Sequence, residues 1–393
     1  MRVSNNGLQN VKIARVSTVS FFVDTQLRAQ ISALVHAGMS VTIVASEDKL
    51  TKDIPDSDYV SINIPRKVSV FKDLLALLRL FLLFRRSSFD IVHSTTPKAG
   101  LLCSLAARLA GVPVRLHTFT GQPWVGLRGI KYVLSKGSDK LITYLNTHCY
   151  TDSVSQKIFL VDSGVSSAER ISVLGSGSLA GIDLMRFNPL RLSSEDNKKL
   201  RTELDISLTT QVLLFVGRIS RDKGVVELLQ AYQKLMVDEF DTCLILLGAS
   251  EIDIDTLLDN YAGSLKDSVI IPGFTSEPER FMAIADILVL PSYREGFGTV
   301  VIEAAAMEIP TIGTNIYGLS DAIVDGKTGL LVPVRDIDKL AEAISYLLKN
   351  DVLRCEMGAN ARRRVEEQFS DELLNELMLK EYERFLEVNV ERE

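Results

Sequence analysis

Cysteine is scarce in this sequence, long apolar runs are missing, and the glycine fingerprint of dinucleotide enzymes is absent. Each gap removes a class of protein. The four cysteines (Cys103, Cys149, Cys243, Cys355) are scattered without CxxC spacing. That leaves no disulfide framework and no cysteine-held metal, so buried thiols in a reducing cytoplasm are expected. No uninterrupted apolar run reaches the roughly 18 residues of a membrane span, and the first residues lack the charged-then-apolar order of a secretory leader. A chain that neither crosses a membrane nor is exported is therefore expected. The loop after the first predicted strand reads Ser17-Thr18-Val19-Ser20-Phe21-Phe22. With no glycine there, a nicotinamide or flavin cofactor has no pyrophosphate turn to rest on. Lys/Arg-rich runs with interleaved aromatics are also missing, which argues against nucleic acid as a partner.

What remains is a globular chain of 393 residues, 46% apolar and 24% charged, long enough for two domains. The net charge of −6 conceals an asymmetry: residues 1–183 hold 21 Lys+Arg against 13 Asp+Glu, and the rest hold 23 against 37. A basic first half suggests that it meets an anionic surface or substrate. Val11–Val16 reads as a strand, Thr25–Ala37 as a helix stopped by Gly38, and Val41–Ala45 as the next strand, a right-handed parallel β-α-β unit. A polar stretch, 193–210, leads to a second such series starting at Val212–Val216. The expected fold is α/β, with a domain over 1–190, a second over 191–372, and a charged amphipathic helix over 373–393 packing back across the junction.

The chemistry is expected in the stretch Arg294-Glu295-Gly296-Phe297-Gly298-Thr299, which comes after the buried-strand run Asp286–Leu290 and precedes a helix-forming run to Met307. Strand, glycine loop and helix N-terminus make an anion site. Glu295 at the loop's mouth and Glu303, one helical turn after Thr299, add carboxylates that suit hydroxyl groups rather than phosphate. The implied ligand carries a phosphate between polyols, as a nucleotide sugar does. Earlier in the same half, Gly217-Arg218 and Lys223-Gly224 flank a short loop before a helix, Val225–Met236. A guanidinium and an ammonium there clamp a diphosphate without a metal, and an anion would relieve their conflict with the helix dipole.

In the first half, Lys98 and Gly100 come after the strand Asp90–His93. His117 ends the next strand, ahead of Thr120, Gly121 and Trp124. Ligands bind at such strand ends in open α/β sheets. His117 is singled out by that location, whereas His36, His93 and His148 read as structural. Residues 66–86 carry six basic residues and one acid among many leucines and phenylalanines. The run reads either as a core-facing helix with basic ends or as one lying in the headgroups of an anionic bilayer. Asp325–Val332 reads as a tight hairpin from its glycines.

Taken together, Glu295 and Glu303 with seven residues between them, and the Gly217-Arg218 and Lys223-Gly224 pairs, resemble the retaining glycosyltransferases of family four, group 1, with the two-domain GT-B fold. The resemblance spans almost the whole chain. Asp90–Gly100 and the His117 strand are similar to members that extend polyprenyl-diphosphate-linked saccharides. Two departures stand out: the first-strand loop lacks the family's glycine pair, and Asp321 stands where glutamate is frequent. The resemblance implies two Rossmann-like doubly wound domains facing a cleft. It gives Arg218 and Lys223 to the diphosphate, Glu303 to ribose and Glu295 to sugar hydroxyls, and the Gly296, Phe297, Gly298 and Thr299 backbone to sugar and phosphate. His117 contacts the sugar, and Lys98, Gly100, Thr120 and Gly121 line the acceptor side. A UDP- or GDP-sugar is the substrate, with no cofactor and no metal, and the enzyme works at the inner face of the cell membrane on a lipid-linked saccharide. The competing readings are another GT-B enzyme, an epimerase or a sucrose-type synthase, and a non-catalytic nucleotide-sugar binder.

Overall fold

A computed structural model describes residues 7–47, 49–235, 240–261 and 263–390. The chain divides into two compact units, residues 1–181 together with 371–393, and residues 182–370. The segment 182–190 thus opens the second unit, and the last helix belongs to the first. Met236, the expected end of one helix, and residues 391–393 lie outside the described residues.

The first unit is a seven-stranded parallel sheet: β1 (Lys12–Val16), β2 (Ser40–Ala45), β3 (Ser57–Ser61), β4 (Ile91–Thr95), β5 (Val114–Phe119), β6 (His148–Thr151) and β7 (Ile171–Val173), in the order β3-β2-β1-β4-β5-β6-β7. Strands β1, β4 and β5 are short, β-branched and buried on both faces, as a sheet covered by helices requires. The expected β-α-β start is present, but its helix covers only Arg28–His36 and is preceded by a wide turn over Val23–Leu27. Lys98 and Gly100 lie inside a helix, Pro97–Ala110, not in a loop: Pro97 supplies a first helical residue that needs no N–H donor.

The second unit is a six-stranded parallel sheet of β8 (Gln211–Val216), β9 (Thr242–Leu247), β10 (Val269–Gly273), β11 (Ile287–Leu290), β12 (Thr311–Thr314) and β13 (Gly329–Val332), ordered β10-β9-β8-β11-β12-β13. Asp325–Val332 is not a hairpin. Gly326, at φ +71°, turns the chain into the parallel edge strand β13, which pairs with β12 from Thr311↔Gly329 to Thr314↔Val332. A Cβ on Gly329 would lie 2.0 Å from the Thr311 carbonyl oxygen, so that glycine serves close strand approach instead of a second turn. In each unit strand order reverses once, beside β1 and β4 and beside β8 and β11, and loops at those reversals are where such sheets hold ligands.

The helix Asp371–Val390 completes the first unit. Leu374, Met378 and Tyr382 join Ile13, Ile31, Leu34 and Leu116 in one core cluster. At its centre Arg15, fully buried, donates to Tyr382 Oη at 2.7 Å and to Gln30 Oε1 at 3.0 Å, and also hydrogen-bonds His93. Burial first, then the Arg15 charge, hold His93 far below the usual imidazole range, so it is neutral and accepts.

Candidate active site

In the second unit the chain leaves β8 through Gly217-Arg218, makes one tight turn over Arg221–Lys223, and enters the helix Val225–Leu235 through Gly224 at φ +72°. A Cβ on Gly224 would lie 2.0 Å from the carbonyl oxygen of Pro291. Glycine therefore lets the Lys223 loop press against the end of β11, and the Tyr293 N–H donates across to Asp222 O at 2.9 Å. The next loop closes in the same way, since a Cβ on Gly318, at φ +87°, would lie 2.6 Å from Gly296 O.

This close packing puts the predicted cation Lys223 beside the predicted acid Glu295. Lys223 Nζ forms an ion pair with Glu295 Oε1, and Ser292 Oγ donates to the same oxygen at 2.8 Å. The side chains of the pair are only 18% and 13% exposed. Arg218 is more open, bonded to Glu251 Oε2 at 2.6 Å and 3.5 Å from Asp222 Oδ2. Arg294 reaches that Asp222 oxygen at 3.4 Å. Burial works against ionisation of Asp222, but the Ser220 hydrogen bond and the Arg218 and Arg294 charges hold its carboxyl below the usual range. Both cations expected to hold phosphate thus have carboxylate partners, and a bound diphosphate would compete for them.

Gly298, at φ +85°, caps the helix Thr299–Ala306. Phe297 faces inward, its ring 5.2 Å from that of Phe369, so only its backbone belongs to the loop surface. Glu303 lies half-buried on the helix. Burial pushes its carboxyl up to about 7, with Arg186 opposing the rise and Glu279 adding to it.

In the first unit His117 lies on β5 opposite Ser94 of β4, whose Oγ is 2.9 Å from Nδ1. Nε2 is buried without a partner. Burial lowers the ring to about 3, so His117 is neutral and can only exchange hydrogen bonds. A Cβ on Gly100 would lie 2.4 Å from His117 Cε1, which explains the glycine: it makes room for the imidazole. Lys98 is occupied elsewhere, ion-paired with Asp73 at 2.7 Å and donating to Lys67 O at 2.6 Å. Thr120 and Gly121 stand in the loop after β5, half-buried, with Gly121 at φ +120°.

Against known proteins, residues 196–364 match the family model for glycosyl transferases group 1 and residues 23–144 that for a glycosyl transferase 4-like domain. The capsular polysaccharide biosynthesis glycosyltransferase CapM of Staphylococcus aureus is 33% identical over 96% of this chain and 98% of its own length. The chain belongs to the group 1 glycosyltransferases. A second relative of this glycosyltransferase is the UDP-Gal:alpha-D-GlcNAc-diphosphoundecaprenol alpha-1,3-galactosyltransferase of Escherichia coli, 24% identical over 92% of this chain and 93% of that one. Among solved structures, sucrose-phosphate synthase of Thermosynechococcus elongatus superposes with TM-score 0.81 at 22% identity, covering 96% of this chain and 100% of that one. HepE of Anabaena in complex with UDP and glucose does so with TM-score 0.77 at 17% identity, covering 95% and 99%. These likenesses give the glycosyltransferase the GT-B fold.

The paired acids and cations of the second unit are readable from spacing. Ser292, Asp222 and Glu251 are not, because hydroxyls and acids that brace a cation leave no pattern in sequence. The position of Asp222 within the Arg218–Lys223 loop is the one signal that points there.

Proposed function

We propose that this glycosyltransferase moves a hexose or N-acetylhexosamine from a UDP-sugar to a polyprenyl-diphosphate-linked saccharide during surface-polysaccharide assembly, with retention at the sugar carbon. The observation that carries this reading is the Lys223–Glu295 pair, with Arg218 close enough to feel the Glu295 charge, at the strand-order reversal of the second unit. In this reading Arg218 and Lys223 take the diphosphate and stabilise the charge that grows on it as it leaves. Glu303 accepts from ribose hydroxyls, and Glu295 from hydroxyls of the donor sugar. The Gly296–Thr299 backbone approaches sugar and phosphate. The sugar's C1–O bond to the diphosphate breaks, a new C1–O bond to the acceptor hydroxyl forms on the same face, and the acceptor's proton passes to a leaving phosphate oxygen. His117 supplies a neutral hydrogen bond to the sugar. Two cations and a helix terminus do the electrostatic work, so no divalent ion is required.

The UDP and glucose of the HepE complex, and the UDP-Gal and diphosphoundecaprenol in the name of the E. coli relative, support donor and acceptor class. The sucrose-phosphate synthase likeness shows that fold alone does not choose an acceptor. The enzyme meets its lipid-linked acceptor at an anionic membrane surface through the helix Val70–Ser87. Support comes from its two faces: Ala76, Leu80 and Phe84 are buried, while Phe71, Leu74 and Leu78 are 82%, 63% and 51% exposed among Lys72, Arg79, Arg85 and Arg86. One face of this helix is core-facing, and the bilayer reading is proposed for the exposed face.

Purified protein screened against UDP- and GDP-sugars, by thermal shift and by donor hydrolysis with and without extracted membrane lipid, tests the proposal. A UDP-sugar is expected to raise the melting temperature, and lipid extract is expected to accelerate its consumption. No shift with any nucleotide sugar would overturn it.

A further inference from the structure

The first unit holds a set of polar side chains for which donor binding and His117 give no use. They lie at the ligand end of the sheet, beyond β5 and β6. Asp152 directly succeeds β6 and is 6% exposed, Gln122 comes after β5 and is 0% exposed, and Ser178 comes after β7 and is 2% exposed. One side chain ties two of them together. Gln156, on the helix Val154–Asp162, accepts from the Asp152 N–H at 2.8 Å and donates to Gln122 Oε1 at 3.2 Å. The third is attached directly, because the Ser178 N–H donates to Asp152 O at 2.6 Å. Yet Gln122 Nε2, Asp152 Oδ1 and Ser178 Oγ are buried without a hydrogen-bond partner. Ser178 also holds φ at +68°, a conformation that a side chain makes costly.

Three unmet polar atoms in one hydrogen-bonded cluster are hard to reconcile with a purely structural role. Each forgoes a contact that water would give it, at a cost comparable to a lost hydrogen bond. A structural amide is satisfied internally, as that of Asn146 in the same unit is, donating to Ser104 Oγ at 2.7 Å and to Ile142 O at 2.8 Å. The arrangement of Asp152, Gln122 and Ser178 instead suits something that arrives.

We propose that Asp152, Gln122 and Ser178 form a recognition site for vicinal hydroxyl groups of the acceptor sugar, and that the site accepts only uncharged rings. The amide donates, the carboxyl accepts, and the serine hydroxyl does either, which is the complement of a diol. The charge preference comes from the surroundings. Burial pushes the Asp152 carboxyl up to about 8, which leaves it mostly protonated and uncharged at neutral pH, and among the described residues no cation pairs with it, so a carboxylate or a phosphate brought there would lose its water and meet no counter-ion. Ser178 would offer its hydroxyl to the far edge of the ring from its left-handed backbone position. This inference rests on the glycosyl-transfer reading, although its test is read separately from donor binding.

The test is ligand-observed NMR on the full-length enzyme, with and without UDP, using methyl α-glycosides of glucose, galactose, N-acetylglucosamine and N-acetylgalactosamine as neutral probes and methyl α-glucuronide as the anionic one. At least one neutral glycoside is expected to bind saturably, and the glucuronide is expected not to. Ser178→Gly relaxes the strained backbone while removing the hydroxyl, so it should keep the fold and weaken that binding about tenfold, the worth of one hydrogen bond. Asp152→Ala should abolish it, and in both variants the UDP thermal shift should match that of the parent. The inference is overturned if no neutral glycoside binds, if the glucuronide binds as well, or if the Ser178→Gly enzyme binds like the parent. A parent enzyme that ignores UDP-sugars but binds a glycoside through these residues would strike the donor reading and leave this one standing.

Discussion

Lys223 is the residue on which most depends, because it pairs with the acid Glu295 and is the cation proposed to take the donor phosphate. Lys223→Ala is expected to lower turnover at least about a hundredfold, the size of one lost contact to developing charge, while EDTA leaves the parent rate unchanged. Steady-state rates with a UDP-sugar check both, and a metal requirement would transfer the electrostatic role elsewhere. Glu303 makes a pH prediction. Its carboxyl sits at about 7 in the free protein, and only the ionised form accepts from two ribose hydroxyls. UDP affinity should therefore tighten as pH rises through 7, and Glu303→Gln should flatten the profile; calorimetry between about pH 6 and 8.5, either side of that value, would show it. The identities of these residues are legible because charge at fixed spacing beside glycine survives in a sequence. The Lys223–Glu295 pairing is not, since it depends on how closely two loops approach through Gly224. Lys98 likewise has a partner that its sequence position does not announce, Asp73.

At the scale of elements, the strands and their parallel order are legible as short apolar runs alternating with helical ones. The misreadings fall where a turn signal and a strand share residues. Glycines 326 and 329 serve different ends, and the sequence does not tell a turn glycine from one that lets two strands come close. The helix Val70–Ser87 is ambiguous by composition because some of its apolar residues are buried and others are exposed. Here the expected measurement is sedimentation with liposomes: parent protein should pellet with anionic vesicles at low salt, and an Arg79→Glu, Arg85→Glu, Arg86→Glu variant should remain in solution. Those three arginines are exposed, so the reversal leaves the core untouched. Equal pelleting by the variant would remove lipid from the account.

For the whole molecule, stability depends on acids held above their ordinary range. Burial raises Asp139 to about 7, against a Trp124 hydrogen bond that lowers it, and raises Asp152 to about 8. Both titrate near 3.8 in an unfolded chain, so between those values the native state binds more protons. Below about 6.5 the neutral histidines His93, His117 and His148 work the other way, so stability should fall as pH climbs from about 6.5 toward 8. Melting curves at about pH 6.5 and 8.5 should show the drop, and Asp139→Asn should reduce it. The last helix matters at the same scale. Tyr382→Phe removes the hydroxyl that meets Arg15 and His93 and is expected to cost about 1–3 kcal/mol in the first unit. Urea unfolding monitored by hydrogen exchange should show the second unit unaffected.

That helix also sets a schedule. The second unit is made of one continuous stretch, 182–370, whereas the first waits for residues 371–390 to fill its core. On a ribosome the later-encoded half can reach its final form while the earlier-encoded half is still missing its closing piece, so apolar surface around Ile13, Ile31 and Leu34 stays uncovered until Leu374, Met378 and Tyr382 have emerged.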